Sequence, residues 1–271
     1  MAEMTSSGDP LYSHYTLKHR LTAWTSIHLF DGISYTVRHG LLKGMKRKGG
    51  LGWVPEAFAG SLDNPELRFW REIDLRGLTV YDIGAFQGLL TLWFAKQAKR
   101  VVCFEPNSHN YRRLSENLAL NAFRNVTARK VGIGSVSEVR SMVGNPLMPG
   151  FSRVELGTAN GSLVTEEISI STVDEEISQH QLPVPDFIKI DIEGWEIEAL
   201  KGARRTLETA KPTLFLEMHG KTMREKEQKV AEIVDFLRDL RYREIRHVET
   251  GTSITPQNSS VAAQGHLYCR P

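Results

Sequence analysis

A chain of 271 residues, 41% hydrophobic and 24% charged, is long and apolar enough to build one large packed domain. Its formal net charge of +2 is too small a positive balance to make nucleic acid the expected partner. The two cysteines, Cys103 and Cys269, sit in the short apolar runs VVCFE and HLYCR, a pattern of buried thiols without metal-ligand spacing.

The N-terminus is polar and lacks the apolar core of a signal peptide. No stretch approaches the roughly 20 apolar residues of a membrane span. The expectation is a cytoplasmic protein. Residues 1–75 have no clean hydrophobic period and are expected to form an N-terminal extension, a lid or a substrate-binding segment. Within it, Lys43, Lys46, Arg47 and Lys48 among Gly44, Gly49, Gly50 and Gly52 read as a flexible basic surface loop. Guidance of an anionic substrate is the alternative. Asn64 and Pro65 then suit the start of a short helix through PELRFWREI.

From Leu78 the pattern becomes regular and a second unit, residues 76–271, begins. LTVYDIG, VVCFEP, VTARKVGIG, DFIKIDIEG and PTLFLEMHG read as short buried strands. LLTLWFAKQA, SHNYRRLSENLALN, WEIEALKGARRTLETA and KVAEIVDFLRDL read as the helices between and after them, with Ser108 as the cap of the second. RYREIRHVE and GHLYCRP close the chain as two successive strands. Alternating strands and helices imply a doubly wound parallel sheet, and the final strand pair adds one antiparallel strand. Residues 135–172 are too long for a plain connection. ELGTANGSLV and EEISIST alternate within it, so it reads as an inserted hairpin.

The turn after the first of these strands is Asp82-Ile83-Gly84-Ala85-Phe86-Gln87-Gly88. Ligands of doubly wound sheets bind at such turns. A dinucleotide turn needs a second glycine two positions after the first, and Phe86 stands there. A Walker loop needs G-K-[ST], and Leu89 follows Gly88. The turn is thus poorly made for phosphates. Asp82 suits an ammonium group and the turn amides suit a carboxylate. Glu105, about 20 residues on, suits the two hydroxyls of a ribose. Together they point to a nucleoside ligand with an amino-acid end and no diphosphate.

DFIKIDIEGWE places Asp191 and Glu193 at one strand end, and PTLFLEMHG places Glu217 and His219 at another. Residues two apart on a strand share a face, so four polar groups converge if these strands are neighbours. Buried charge is costly unless paired, so packing alone does not account for such a cluster. Glu193 and Glu196 could instead serve the N-terminus of the next helix. The sharper reading is a catalytic floor with His219 as base, because a histidine of ordinary pKa is largely neutral at physiological pH. Glu217 and Asp191 are its expected partners, and Glu193 is the weaker candidate. No residue is assigned to a metal. A divalent cation held by Asp191, Glu193, Glu217 and His219 is the less favoured alternative.

At these residues the sequence resembles the FkbM family of methyltransferases. The resemblance is carried by VYDIGAFQGLLTLWFA, VVCFEPNSHNYRRLSENLALN, EISISTVDEEI, DFIKIDIEGWEIEALKGA and PTLFLEMHG, and covers about Thr79 to Gly220. Trp195 departs from the smaller residues common there. The resemblance implies an α/β, doubly wound, Rossmann-like methyltransferase sheet of seven strands, one antiparallel. It implies S-adenosylmethionine as cofactor, leaving as S-adenosylhomocysteine. It implies transfer of methyl to a hydroxyl oxygen of a sugar or secondary metabolite, so the expected partner is a small-molecule or glycan acceptor. The expected cofactor contacts are Asp82, Gly84, Ala85, Phe86 and Gly88 in the turn and Glu105 and Pro106 after the second strand. Gly132 and Ile133 are expected beside the adenine, with Asp191 completing the set. A nucleic-acid or protein methyltransferase is a rival on the same fold. Base methylation would favour an N-P-P-[YF] motif where Asp191-Ile192-Glu193-Gly194 stands. A non-catalytic adenosine-ligand binder is the rival outside enzymology.

Overall fold

The computed structural model describes residues 32–48, 64–145, 148–154 and 164–271. It opens on a short antiparallel hairpin, β1 (Ser34–Thr36) and β2 (Lys46–Lys48). Helix α1 (Pro65–Glu72) follows, capped by Asn64, whose side chain accepts the Leu67 amide at 2.7 Å. Next come β3 (Thr79–Ile83), α2 (Leu89–Gln97), β4 (Arg100–Phe104), α3 (Ser108–Leu120) and β5 (Val126–Arg129). The cap of α3 is Asn107, one residue before the expected serine. The Asn107 side chain accepts the Asn110 amide at 3.0 Å, and the Ser108 hydroxyl donates to Glu166 instead.

The part of the basic run expected to be a flexible surface loop is instead a docked strand where it is described. Asn121, the residue after α3, and Asn117 of α3 accept the Lys46 and Lys48 amides at 2.9 and 2.7 Å. Lys48 Nζ lies 2.9 Å from Glu116, and Arg47 is buried. Side-chain amides thereby satisfy backbone groups that a two-stranded ribbon leaves unpaired. Gly49, Gly50 and Gly52 lie outside the described residues.

A small second sheet interrupts the alternation. It comprises β6 (Gly132–Ile133), β7 (Glu138–Asn145), β8 (Met148–Val154) and β9 (Val164–Ser171), in the order β6-β9-β7-β8. In place of the expected inserted hairpin, β7 pairs antiparallel with both β8 and β9. EEISIST lies largely in β9, whereas all but the last residue of ELGTANGSLV lies outside the described residues. After α4 (Val173–His180) the main pattern resumes with β10 (Phe187–Ile190), α5 (Glu196–Gly202), α6 (Arg204–Thr209) and β11 (Thr213–Glu217). The helix expected through WEIEALKGARRTLETA breaks at Ala203. There Gly202 passes so near the turn after β6 that an added Cβ would stand 1.9 Å from the Gly134 carbonyl. Helix α7 (Met223–Asp239), β12 (Glu244–His247), a 3-10 turn (Pro256–Ala262) and β13 (His266–Arg270) complete the chain.

The main sheet has the order β12-β13-β11-β10-β3-β4-β5. β13 runs antiparallel to both neighbours, and the other pairings are parallel. Strands covered on both faces read as continuous apolar runs, as β3, β10 and β11 do. One face packs Tyr81, Ile83, Ile188, Ile190, Leu214 and Leu216 against α5, α6 and α7. The other packs Val80, Phe187 and Phe215 against Trp70, Leu92 and Phe94. Val37, Leu42 and Met45 belong to this second core. The packed core therefore includes residues upstream of position 76. Both cysteines are buried and free. Among the described residues no helix is long and apolar enough to cross a membrane.

Candidate active site

The parallel neighbours β3, β4, β10 and β11 end on the same side of the sheet, where the ligand crevice of doubly wound sheets lies. Gly84 begins the turn after β3 at φ +82°, and a Cβ there would lie 1.8 Å from the Asp191 carbonyl. Only glycine lets the turn touch the exit of β10. Phe86 also has a positive φ of 52°. Its amide donates to Glu105 Oε2 at 2.9 Å, and the Asn107 amide donates to Oε1 at 2.9 Å. The turn thus directs a backbone donor at a carboxylate rather than at a phosphate seat. Burial pushes the Glu105 pKa up to about 7, against the pull of its backbone donors. Ala85 is buried beside Cys103 and Leu114, and Gly88 starts α2 in the left-handed region. Gly132 faces the Pro106 ring, with an added Cβ 3.6 Å away, and Ile133 is buried beside it.

Asp82 is expected to meet an ammonium group, but its carboxylate is sealed inside the sheet. Thr91 Oγ1 donates to Oδ2 at 2.5 Å, and Lys189 Nζ stands 3.4 Å from Oδ1. The reason is register: Asp82 and Lys189 are paired residues on the adjacent strands β3 and β10. Lys189 is the residue at this site that local sequence pattern does not single out. Its ammonium lies 3.2 Å from Asp191 and donates to the Gly84 carbonyl at 3.0 Å, so it ties turn, sheet and crevice together. Burial disfavours its charge, but Asp191 and Asp82 outweigh that and hold its pKa above the ordinary value. Its one trace in the sequence is that a lone lysine inside FIKI needs a buried partner.

Asp191, Glu193, Glu217 and His219 do converge, and Glu196 joins them. His219 Nδ1 lies 3.0 Å from Glu196 Oε1. Its Nε2 lies 3.5 Å from Glu217, 3.8 Å from Asp191 and 3.9 Å from Glu193. Glu196 also accepts the Gly194 amide at 2.9 Å, which is its helix-terminal role. Burial opposes a charged imidazole, yet Glu196 and Glu217 outweigh it and raise the His219 pKa to about 11. Its carboxylate neighbours favour the charged imidazole, a direction opposite to the one a neutral histidine base needs. Burial favours the neutral form of Glu217, but His219 and His266 hold it well below the usual carboxylate range. Burial raises the Asp191 pKa despite Lys189, and burial raises that of Glu193. These shifts run opposite to that of Glu217. Asp191, Glu217 and His219 can each offer an atom within 4.8 Å of the others. Two carboxylates and an imidazole suit a divalent cation chemically, but His219 must first surrender its proton.

Trp195 packs against the turn after β6, with its ring 3.8 Å from a Cβ placed on Gly134. The Arg140 guanidinium, from β7, sits 5.5 Å from the ring centroid.

The order of the seven strands and the reversed β13 define a Rossmann-like methyltransferase fold. The family model described as "Methyltransferase FkbM domain" matches residues 82–244, more than half of the chain. The chain belongs to the FkbM methyltransferase family. It is similar to hexuronic acid methyltransferase AglP of Haloferax volcanii, 29% identical over 167 residues, which are 56% of this chain and 66% of that protein. It is also similar to methyltransferase sdnD of Sordaria araneosa, 28% identical over 45% of this chain and 59% of that protein. The chain therefore spans less than two thirds of the length of either relative. The crystal structure of methyltransferase FkbM from Methylobacillus flagellatus superposes with a TM-score of 0.47 at 20% identity, over 82% of this chain and 52% of that one.

Proposed function

We propose that the protein transfers a methyl group from S-adenosylmethionine to a hydroxyl oxygen of a sugar or secondary metabolite. The observation that carries this reading is the glycine turn whose Phe86 amide is directed at Glu105 rather than outward. A ribose has two hydroxyl donors for the remaining lone pairs of Glu105, and no phosphate is catered for. Asp191, Glu193 and Glu217 add negative charge around the crevice, which favours a cationic ligand over a diphosphate. Asp82 supports the turn from below through Lys189 and does not touch the ligand. The name of AglP supports a sugar acceptor.

S-adenosylmethionine, when bound, supplies an electrophilic methyl on a sulfonium. The protein must then hold a hydroxyl in line and take its proton. Asp191 is assigned as proton acceptor, because burial has raised its pKa and its backbone adjoins the cofactor turn. Glu217 accepts a hydrogen bond from the acceptor and orients it. The His219 imidazolium keeps the crowded carboxylates together. A metal-assisted variant is favoured by the Asp191–Glu217–His219 triad alone. It predicts loss of activity in chelator and recovery with a divalent ion.

The test is incubation with methyl-labelled S-adenosylmethionine and a panel of uronic acids, neutral glycans and polyketides, beside calorimetry with S-adenosylhomocysteine. Labelled O-methyl product, lost in Asp191→Asn, is the expected result. Tight S-adenosylhomocysteine binding without any labelled product would leave a ligand-binding protein. No binding at all would overturn the cofactor assignment.

A further inference from the structure

Behind the crevice lies a second set of paired ionisable groups that the proposed reaction does not use. His266 opens β13 and is the register partner of Glu217 at the end of β11. Glu249, after β12, reaches over it. Its Oε1 lies 2.6 Å from His266 Nδ1, and its Oε2 accepts the His266 amide at 2.9 Å. His247 Nε2 stands 2.9 Å from the same Oε2 and 2.7 Å from the Gln264 carbonyl, so it braces Glu249 from the far side. Gly265 makes the approach feasible: at φ +94°, an added Cβ would sit 2.3 Å from Glu249 Oε2. The Phe215 ring underlies the imidazole, with centroids 4.9 Å apart.

The two oxygens of Glu217 are divided between two imidazoles. Oε1 faces His219 Nε2 at 3.5 Å, and Oε2 faces His266 Nε2 at 3.7 Å. An alternating chain of histidine and carboxylate thus runs His247–Glu249–His266–Glu217–His219–Glu196, from the antiparallel edge of the sheet into the crevice. Carboxylates that back a histidine fix its orientation, and the histidine then fixes the group it faces. Parallel strands alone could not supply this, since His266 opens β13 and Glu249 lies in the turn that follows β12.

We propose that His266 and Glu249 are positioning residues that hold the Glu217 carboxylate in the orientation that receives the acceptor. This rests on the methyl-transfer reading of the crevice. Neither residue touches the glycine turn, so cofactor binding is independent of them.

The test is a double-mutant cycle in the full-length protein. His266→Gln and Glu249→Gln should each lower kcat roughly ten- to hundredfold, the scale of a misplaced reacting group, while the S-adenosylhomocysteine dissociation constant stays within about twofold. In a Glu217→Gln background the same substitutions should add almost no further loss. A purely structural role would instead give additive losses that follow the fall in melting temperature. Additive losses, or wild-type kcat in both single variants, would overturn the proposal. Side-chain NMR of labelled histidine gives a readout apart from turnover. Glu249→Gln should shift the His266 and His219 signals while leaving His180 unmoved, and an unmoved His219 signal would also refute the coupling. If the wild-type protein methylates no hydroxyl acceptor, the function reading has failed, and the NMR result still decides whether the chain of contacts is coupled.

Discussion

Replacement of Lys189 by methionine tests whether one buried cation unites the turn and the crevice. Methionine keeps most of the volume and removes the ammonium, so packing changes little. The lost partners are Asp82 at 3.4 Å, Asp191 at 3.2 Å and the Gly84 carbonyl at 3.0 Å. Stripping one partner from a buried ion pair costs about 3–5 kcal/mol. Asp191 is 31% exposed, so water screens one of the two stranded charges and the lower end, about 3 kcal/mol, applies. The deficit depends on pH with a defined sign. Without Lys189, Asp191 keeps the burial that raises its pKa and loses the cation that lowers it. Its share of the penalty is then fully present above its raised folded-state pKa and disappears below the unfolded value of about 3.9. Urea unfolding at pH 8 and pH 5 measures it, and the variant should lie closer to wild type at the lower pH. Asp82→Asn added to Lys189→Met should restore part of the stability at pH 8. A single variant within about 0.5 kcal/mol of wild type at pH 8 would refute the assigned role of Lys189.

Glu105→Ala should weaken S-adenosylhomocysteine binding by about 1–3 kcal/mol in calorimetry. Because the Glu105 pKa is about 7, wild-type affinity should fall as pH drops below that value, and Glu105→Gln should flatten the dependence. Affinity that is constant from below to above neutrality would remove the ribose assignment. His219→Ala should lower kcat while leaving cofactor affinity nearly unchanged, and NMR titration should find the wild-type ring protonated well above neutrality, as a pKa of about 11 requires. A His219 ring that titrates near 6.5 would return the base role to histidine. Deleting residues 1–60 removes Val37, Leu42 and Met45 from the core, so the melting temperature should fall. Acceptor turnover should fall more than cofactor binding, and normal methylation by the truncated protein would make the segment an appendage.

Much of the site was legible because its groups lie at strand ends in short stretches. Periodicity placed β3, β4, β10 and β11, and a doubly wound sheet brings the residues after them to one crevice whatever the side-chain details. That is why Gly84, Glu105, Asp191, Glu217 and His219 could be selected together. Their protonation could not be selected with them. A pKa depends on burial and on charges across strands, and Glu196 reaches His219 from a helix whose approach no local pattern reports.

The sequence by itself determined the alternation of strands and helices in the main sheet, the glycine turn after β3 and the family. These are encoded locally, in hydrophobic period, glycine placement and motif. Tertiary structure alone decided that Asp82 is sealed against Lys189, that Ser108 leaves the cap to Asn107 and that Lys46–Lys48 docks as a strand on α3. It also decided that His266 and Glu249 stand behind Glu217. Apart from the local bond of the Asn107 cap, each of these pairs residues far apart in the chain, through register between strands or through side chains meeting a neighbouring element. Electrostatic energy follows distance in space, which the fold assigns and the order of residues does not.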